Sequence, residues 1–355
     1  GTVDSSSNTK DGGIINLTAA NNITTGSIFS NSIGNGKGGD INLTSNNGAI
    51  DTSAGILNAS SEFGIENGGN VTLDAKNGNI SSGSIESNGI RGGSIMLNSG
   101  NDISIKEQEI DSLTTGSIAK GGDIDLIGQN INITDARVAN ITIGEQQSGN
   151  ITLKASEQVN LVNNGKSGRS VSGSFLFNRL QKEQTFRGGT GIATTTTVLE
   201  NIKSLPEFLA IIISNPTATT GKAGDITVTT KNLLIEAKVN SDVLTGISTS
   251  SLPGNSGSAG NIEINASESL KITGNGKEND FKATPVDLEK AGEIQAILTG
   301  ITSATQGEGD AGSIIINPNS MEAGNLLIEN EAAITSSSSE TAKGDGGAIA
   351  INASS

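Results

Sequence analysis

The sequence predicts an all-β, right-handed parallel β-helix, that is, a β-solenoid of roughly eleven three-sided coils with two insertions. Three observations favour this fold. A glycine-containing strand motif recurs along the 355 residues, each copy alternates apolar and polar side chains, and two shorter apolar segments follow it in the clearest repeats. A repeat period of roughly 20 to 50 residues indicates a solenoid, because no single repeat can bury its apolar face without its neighbours.

The first strand of each coil carries the clearest signal. Its pattern is a small residue, Gly, one free position and then apolar, variable, apolar, as in GGDINL at 38–43. Alternation of this kind is typical of a strand with one buried face. The copies lie 24 to 30 residues apart early in the chain and 35 to 75 residues apart later. Their second glycines are Gly13, Gly39, Gly69, Gly93, Gly122, Gly149, Gly224, Gly260, Gly312 and Gly347.

Two further segments predict the other sides of a coil. One of them, about half a coil later, reads TGSI at 25–28 and 115–118 and TGIT at 299–302. Between it and the first strand lies a shorter piece, NGAI at 47–50 and NGNI at 77–80. Gly, Asn and Ser turns divide the three strands. A leucine-rich repeat would need an Asn/Cys ladder and helical halves, and a propeller would need antiparallel hairpins, so neither alternative fits.

The composition suits a narrow core. Hydrophobic residues make up 33% of the chain and aromatic residues only 2%, which is too little for a large globular core. A net charge of −15 argues against a nucleic-acid partner, since phosphate binding needs clustered Lys and Arg. With no Cys and no His, the chain lacks disulfides, the commonest metal ligand and the commonest general base. We therefore expect no enzyme activity, no catalytic residues, no cofactor and no metal site.

The repeats divide one elongated domain into three parts. Regular coils are expected over 1–162, and an irregular insertion or lid over 163–222. Coils return over 223–355, with a loop or helix insertion at about 274–293. Within the first insertion, Thr194 to Thr197 reads as one more strand.

Other local signals concern the surface and the ends of the chain. The charged segment 103–110 is placed on an exposed side of the rod, and Thr284 followed by Pro285 favours the start of a short surface helix. No signal peptide is visible at the first residues. The longest apolar run, 208–213, is too short to span a bilayer. The unpaired first and last coils are expected to continue into further chain or to stack on other copies.

Four basic residues in the first insertion form the candidate contact site. Arg169, Arg179, Lys182 and Arg187 lie close together in the sequence, beside Glu183. They predict either a patch that binds a saccharide or a protein partner, or simply a solvated loop. The β-helical polysaccharide lyases and hydrolases place carboxylates on neighbouring coils with basic residues close by, but the remaining basic residues of this chain are scattered.

Asp123 and Asp125 form a second candidate pair. Both point away from the core side of one strand, so they could bind calcium or serve acid/base chemistry. Asp40 and Asp225 occupy the same register as Asp123 on other coils, which favours turn chemistry. The calcium-binding nonapeptide is absent. The threonine run at 194–197 is not repeated at a coil period, which argues against an ice-binding surface. Asn and Ser at repeated turn positions are expected to form hydrogen-bonded ladders between coils.

The repeats also resemble a known family. The segments AGDITVTTKNLLIEAKVNSDVLTGISTSS (223–251), SAGNIEINASESLKITG (258–274) and GDAGSIIINPNSMEAGNLLIENEAAITSSSS (309–339) are similar to the repeat region of filamentous-haemagglutinin-like exoproteins, particularly the large cyanobacterial ones. The likeness covers repeats on both sides of the first insertion. The amino-terminal secretion domain of that family is not found in this sequence.

The resemblance implies a secreted, non-enzymatic rod at the cell surface or outside the cell. It implies a role in adhesion or in building a surface filament or sheath, with export of the parent protein by an outer-membrane two-partner transporter. The expected partners are cell-surface or matrix glycans or proteins, or other copies bound end to end. The alternative is a carbohydrate-binding or polysaccharide-degrading β-helix with a site beside 163–221.

Overall fold

The computed structural model is a parallel β-helix, which confirms the predicted all-β solenoid. No helix occurs among the described residues, and all main-sheet pairings are parallel. The described residues are 1–62, 66–116, 120–142, 145–166, 168–169, 185–186, 190–196, 220–238, 245–251, 255–276, 299–317, 324–338 and 342–353. The helix expected after Thr284 lies outside them.

The strands follow one another around the coils. In chain order they are β1 (Val3–Asp4), β2 (Ile15–Ala19), β3 (Ile23–Thr24), β4 (Ile28–Phe29), β5 (Ile41–Ser45), β6 (Ile50–Asp51), β7 (Ile56–Asn58), β8 (Val71–Ala75), β9 (Ile80–Ser82), β10 (Ser84–Glu86), β11 (Ile95–Ser99), β12 (Asp102–Lys106), β13 (Glu109–Thr114), β14 (Ile124–Thr134), β15 (Arg137–Thr142), β16 (Ile151–Asn163), β17 (Gly168–Arg169), β18 (Thr185–Phe186), β19 (Thr190–Thr196), β20 (Ile226–Ala237), β21 (Thr245–Ser251), β22 (Ile262–Thr273), β23 (Thr299–Thr305), β24 (Ile314–Ile316), β25 (Asn325–Glu329), β26 (Ala333–Ser338) and β27 (Ile349–Ile351).

Three faces run along the solenoid. Face one stacks β2, β5, β8, β11, the first halves of β14, β16, β20 and β22, then β24 and β27. Face two stacks β3, β6, β9 and β12, the second halves of the same four long strands, and β25. Face three stacks β1, β4, β7, β10, β13, β15, β19, β21, β23 and β26. Faces one and three therefore each contain ten described strands, against the roughly eleven coils expected from the sequence.

The long strands show that two faces can share one strand. In β14, β16, β20 and β22 the chain passes from face one to face two without leaving the strand. The register shifts at this corner, for example between Gly128 and Asn130 and between Thr230 and Asn232. Extra residues at such a shift bend a strand, which lets the sheet turn the corner.

The core consists of apolar columns one side chain wide. On face one, Ile41 and Leu43 are in register with Val71 and Leu73, and all four are fully buried. On face three, a single apolar column runs from Val3 at the first strand to Ile334 at the last. Each column residue lies over its equivalent in the next coil, so stacking buries what no coil could bury alone.

A column of glycines at the corner before face one sets the distance between coils. A Cβ on Gly224 would overlap the carbonyl oxygen of Gly149, and a Cβ on Gly149 would overlap that of Gly122. The same overlap with the preceding glycine recurs from Gly39 to Gly347. The motif needs glycine here because backbones of neighbouring coils approach too closely for any side chain.

A ladder of inward-facing hydroxyls joins face three to this glycine column. Ser303 Oγ accepts a hydrogen bond from the Gly312 amide (2.7 Å) and donates one to the Gly260 carbonyl (3.2 Å). Ser336 does the same one coil later, accepting from the Gly347 amide (2.9 Å) and donating to the Gly312 carbonyl (2.8 Å). Each hydroxyl therefore links the glycine of its own coil to the glycine of the next.

We predict that Gly224→Ala destabilises the solenoid by about 3 kcal/mol, because the added methyl group forces two backbones apart. Urea unfolding followed by circular dichroism measures this change. Gly346→Ala is the matched control, since its Cβ would meet only Ser336 O at 3.4 Å. Equal stability of the two variants would contradict the role given to the column.

Removal of one ladder hydroxyl tests the second element of the corner. Ser303→Ala leaves the Gly312 amide without this acceptor, and we expect a loss of about 1 to 3 kcal/mol in unfolding free energy. Ser337→Ala is the control, because Ser337 faces outward in register with a natural alanine, Ala304. A loss no larger than that of the control would show that the hydroxyl is dispensable.

Candidate functional site

The basic residues predicted from the sequence do not form a described site. Arg169 lies in β17, which pairs antiparallel with β18. Arg179, Lys182 and Arg187 lie outside the described residues. The proposed contact patch in the first insertion therefore stays a prediction.

The Asp123 carboxylate takes part in turn chemistry, as its register predicted. Its oxygen accepts the Asn150 amide hydrogen at 2.7 Å and lies 2.9 Å from Lys120 Nζ. Asn150 accepts in turn from the Asp225 amide (3.1 Å), and Asp225 accepts from the Asn261 amide (2.7 Å). One Asp or Asn per coil thus holds the backbone of the next. The described part of the chain contains no group of three acidic residues arranged to hold a metal ion.

Side-chain amides form shorter ladders on the outer surface. Asn42 Nδ2 donates to Asn16 Oδ1 at 2.9 Å, and Asn160 Nδ2 donates to Asn132 Oδ1 at 2.8 Å. Both pairs are in register on neighbouring coils. These four residues lie in strands. At the turns, where ladders were predicted, Asn77 Nδ2 donates to the Asn46 carbonyl (2.8 Å) and Asn101 Nδ2 donates to the Asn77 carbonyl (3.2 Å), so the prediction is confirmed there.

The threonine run was misjudged from the sequence. In β19, Thr194 is in register with Thr249 of β21, which is in register with Ser303 of β23, so hydroxyl residues do recur at the coil period. They face the interior, where Thr194 donates to the Gly224 carbonyl at 2.6 Å. Large insertions between these coils concealed the period. An inward hydroxyl column belongs to the ladder and offers no surface for ice.

A buried acidic cluster on face three was not expected from the sequence. Glu86 of β10 and Asp111 of β13 are in register on neighbouring strands, and both are fully buried. Glu109 is also fully buried and forms an ion pair with Arg137 on the next coil. The prediction that segment 103–110 lies on an exposed side is therefore wrong for Glu109, although Lys106 is exposed. Alternation assigns Glu109 to the outer side of a strand but cannot show that this side is covered.

Burial controls the protonation of Asp111 in this cluster. It raises the pKa of the Asp111 carboxyl from 3.8 to about 7, more than the nearby Asn88 amide lowers it. Glu86 faces Asp111 from the preceding coil, and the Glu109–Arg137 pair lies two residues along the same strands. Removal of the carboxyl from water favours its neutral form, which is why burial raises the pKa of Asp111.

One surface feature of the described residues has room for a ligand, a groove of about 540 Å³ at the corner between faces one and two. We call it the corner groove. Its floor is a column of small residues, including Gly128, Ala155 and Thr230, in strands β14, β16 and β20. The groove crosses these strands and continues to Asn317 after β24. It exists because small side chains occupy the corner where the long strands bend. Sequence reasoning missed it, since the bend leaves no motif.

Comparisons with known proteins give no match: no family model, no curated protein and no solved structure is significantly similar to this chain. Over the residues that the structure describes, no helix is long and apolar enough to cross a membrane. These comparisons neither support nor contradict the resemblance to filamentous-haemagglutinin-like exoproteins.

We predict that Asp111→Asn stabilises the fold at pH 8 and leaves its stability almost unchanged at pH 4. The raised pKa means that the native state holds the proton more tightly than the unfolded chain. The contribution of this carboxyl to the stability of the natural chain must then fall as pH rises from about 4 to 7 and level off above that. The uncharged amide avoids this loss, which a shift of this size places at roughly 2 to 4 kcal/mol.

Urea titrations of both proteins at several pH values measure the difference. The difference in unfolding free energy between the variant and the natural chain should increase between pH 4 and 7, as expected for this carboxyl. Each protein measured at pH 4 is therefore its own control. A variant that is less stable than the natural chain at pH 8 would contradict the account.

Proposed function

We propose that the chain is a non-enzymatic extracellular rod of a secreted surface protein, acting in cell adhesion or building a surface filament or sheath. The observation that carries the proposal is the continuous stack of ten face-three strands, paired in parallel without a break from β1 to β26. Ten stacked strands give a rod about 45 Å long. Such a shape displays a large surface per residue and offers little enclosed volume for a substrate.

The acidic groups support a structural role over catalysis. Glu86, Glu109 and Asp111 are fully buried, so a polymer outside the rod does not reach them. The carboxylates of Asp123 and Asp225 hold the backbone of the next coil. A glycosidase needs two carboxyl groups facing one substrate bond. The three buried acids cannot face such a bond, and Asp123 and Asp225 are already bonded to backbone amides.

The resemblance supplies the location and the export route in this proposal. It supports secretion of the parent protein through an outer-membrane two-partner transporter and residence at the cell surface or beyond it. Glycans or proteins of a cell surface or matrix are the proposed partners. The alternative of a carbohydrate-active site beside 163–221 falls mostly outside the described residues.

We expect the purified chain to be retained on polysaccharide or matrix-coated surfaces without producing new reducing ends. Co-sedimentation measures retention, and a reducing-end assay on the same samples measures cleavage. Cleavage of any polysaccharide would contradict the non-enzymatic proposal. Electron microscopy of the same preparation over a range of concentrations distinguishes adhesion from filament building. Single rods indicate a protein that displays its surface for adhesion, and long filaments indicate assembly.

A further inference from the structure

The corner groove has two different walls. One wall is the last outward column of face one, in which Ile127, Lys154, Thr229 and Asn265 are in register on four successive coils. These side chains lie roughly 4.8 Å apart along the rod, the spacing of neighbouring strands. The wall therefore presents one apolar, one cationic, one hydroxyl and one amide group in a line parallel to the rod axis.

The other wall consists of residues at the bend of the long strands. Lys231 Nζ lies 2.9 Å from each carboxylate oxygen of Glu157, so these two charges are paired. Asn232 Nδ2 donates to the Glu268 carboxylate at 3.1 Å, a contact that does not neutralise its charge. Ser156 and Ser267 also line the groove. This wall is therefore polar, with one more carboxylate than cation.

Lys154 differs from the other charged residues of the groove. Its side chain is exposed, and it has no ion-pair or hydrogen-bond partner within the described residues. It stands between Ile127 and Thr229, its register neighbours on the coils before and after it. The groove thus offers one free cation in the middle of a surface of hydroxyls, amides and aliphatic carbon.

The length of the groove favours a linear ligand. It crosses strands β14, β16, β20 and β22 and extends to Asn317, so it runs along the rod for about 15 to 20 Å. A chain of pyranose rings advances per residue by about the spacing of the coils, so successive rings meet equivalent positions on successive coils. An extended peptide advances only about 3.3 Å per residue and loses this match.

We propose that the corner groove binds a linear polysaccharide that carries isolated carboxylates, with Lys154 pairing to one carboxylate. Ile127 packs against the aliphatic face of a neighbouring ring, and the Thr229 hydroxyl and Asn265 amide contact ring hydroxyls. This inference rests on the proposed function and deepens it by naming a class of partner.

Charge disfavours the two extreme kinds of glycan. A dense polyanion meets a chain with net charge −15 and the carboxylates of Glu157 and Glu268 beside the groove. A neutral glycan gains no charge-assisted contact from the exposed Lys154 ammonium. A chain that alternates acidic and neutral sugars places one carboxylate at Lys154 and uncharged rings on both sides.

The test is a titration of the full 355-residue chain with a hyaluronan hexasaccharide, which alternates uronate and neutral sugars. Isothermal titration calorimetry at low salt measures the dissociation constant. We expect saturable binding that Lys154→Ala weakens about tenfold, since it removes a charge-assisted contact. Lys106→Ala is the matched control, because Lys106 is also an exposed lysine on a strand but lies outside the groove.

A second ligand isolates the ion pair from the rest of the surface. The same hexasaccharide with its carboxyl groups reduced to alcohols should bind the natural chain about as weakly as it binds Lys154→Ala. Thr229→Phe fills the groove at an outward position and should abolish binding of both ligands while leaving the fold intact by circular dichroism.

Three results would overturn the inference. They are no binding of the hexasaccharide, equal losses in Lys154→Ala and Lys106→Ala, or unchanged binding in Thr229→Phe. None of them affects the proposed function, which is contradicted if the chain cleaves polysaccharides, or if it is neither retained on any surface nor assembled into filaments. Adhesion of the chain through another face would contradict the groove proposal but would agree with the proposed function of the rod.

Discussion

The close approach of backbones at the glycine corner is the constraint on which the rest of the structure depends. Because a Cβ on Gly224 would overlap the Gly149 carbonyl, the coils stack there with no side chain between them. The same contact recurs at each coil, so the corners lie in one line. Once this line is fixed, the strands that follow each glycine pair in register and their apolar residues form continuous columns.

Polar side chains also join neighbouring coils at the glycine corner. Ser303 and Ser336 link successive glycines from inside the coil, and Asp123, Asn150 and Asp225 link the following residues from outside. Each link joins nearest neighbours only, so stability accumulates coil by coil, as in other repeat proteins. The buried Glu86 and Asp111 pair departs from this pattern, since it places two acids where the other coils have small or neutral residues such as Asn58 and Ala139.

The fold could be predicted because its main elements are encoded by short sequence motifs that recur along the chain. Ten glycine motifs mark the corner before face one, and alternation marks the strand that follows it. The Thr-Gly-Ile motif marks the strand of face three. Gly300 in that motif has a φ of 150° and no room for a Cβ. The strand expected at Thr194 to Thr197 is β19, which ends at Thr196. The merging of two faces into one long strand could not be predicted, because a bend at Gly128 leaves no distinct signal.

The site was harder to predict than the fold for a physical reason. Alternation tells which side of a strand a residue occupies, but it does not tell whether that side is covered. Glu109 and Asp111 are outward by pattern and buried in the structure, as are Ser248 and Ser250 on β21. The corner groove depends on residues far apart in sequence, such as Ile127 and Asn265, that only the stacking of coils brings together.

Amide hydrogen exchange along the whole chain is the measurement that tests the central claim most directly. If the glycine corner holds the coils together, the amides of Gly93, Gly224 and Gly312 must exchange as slowly as those of the core strands, because each donates to a serine oxygen inside the coil. Protection should be similar from coil to coil and should fall only toward the two ends. Fast exchange at these glycines beside protected strands would contradict the account, since the stack would then be held by its faces alone.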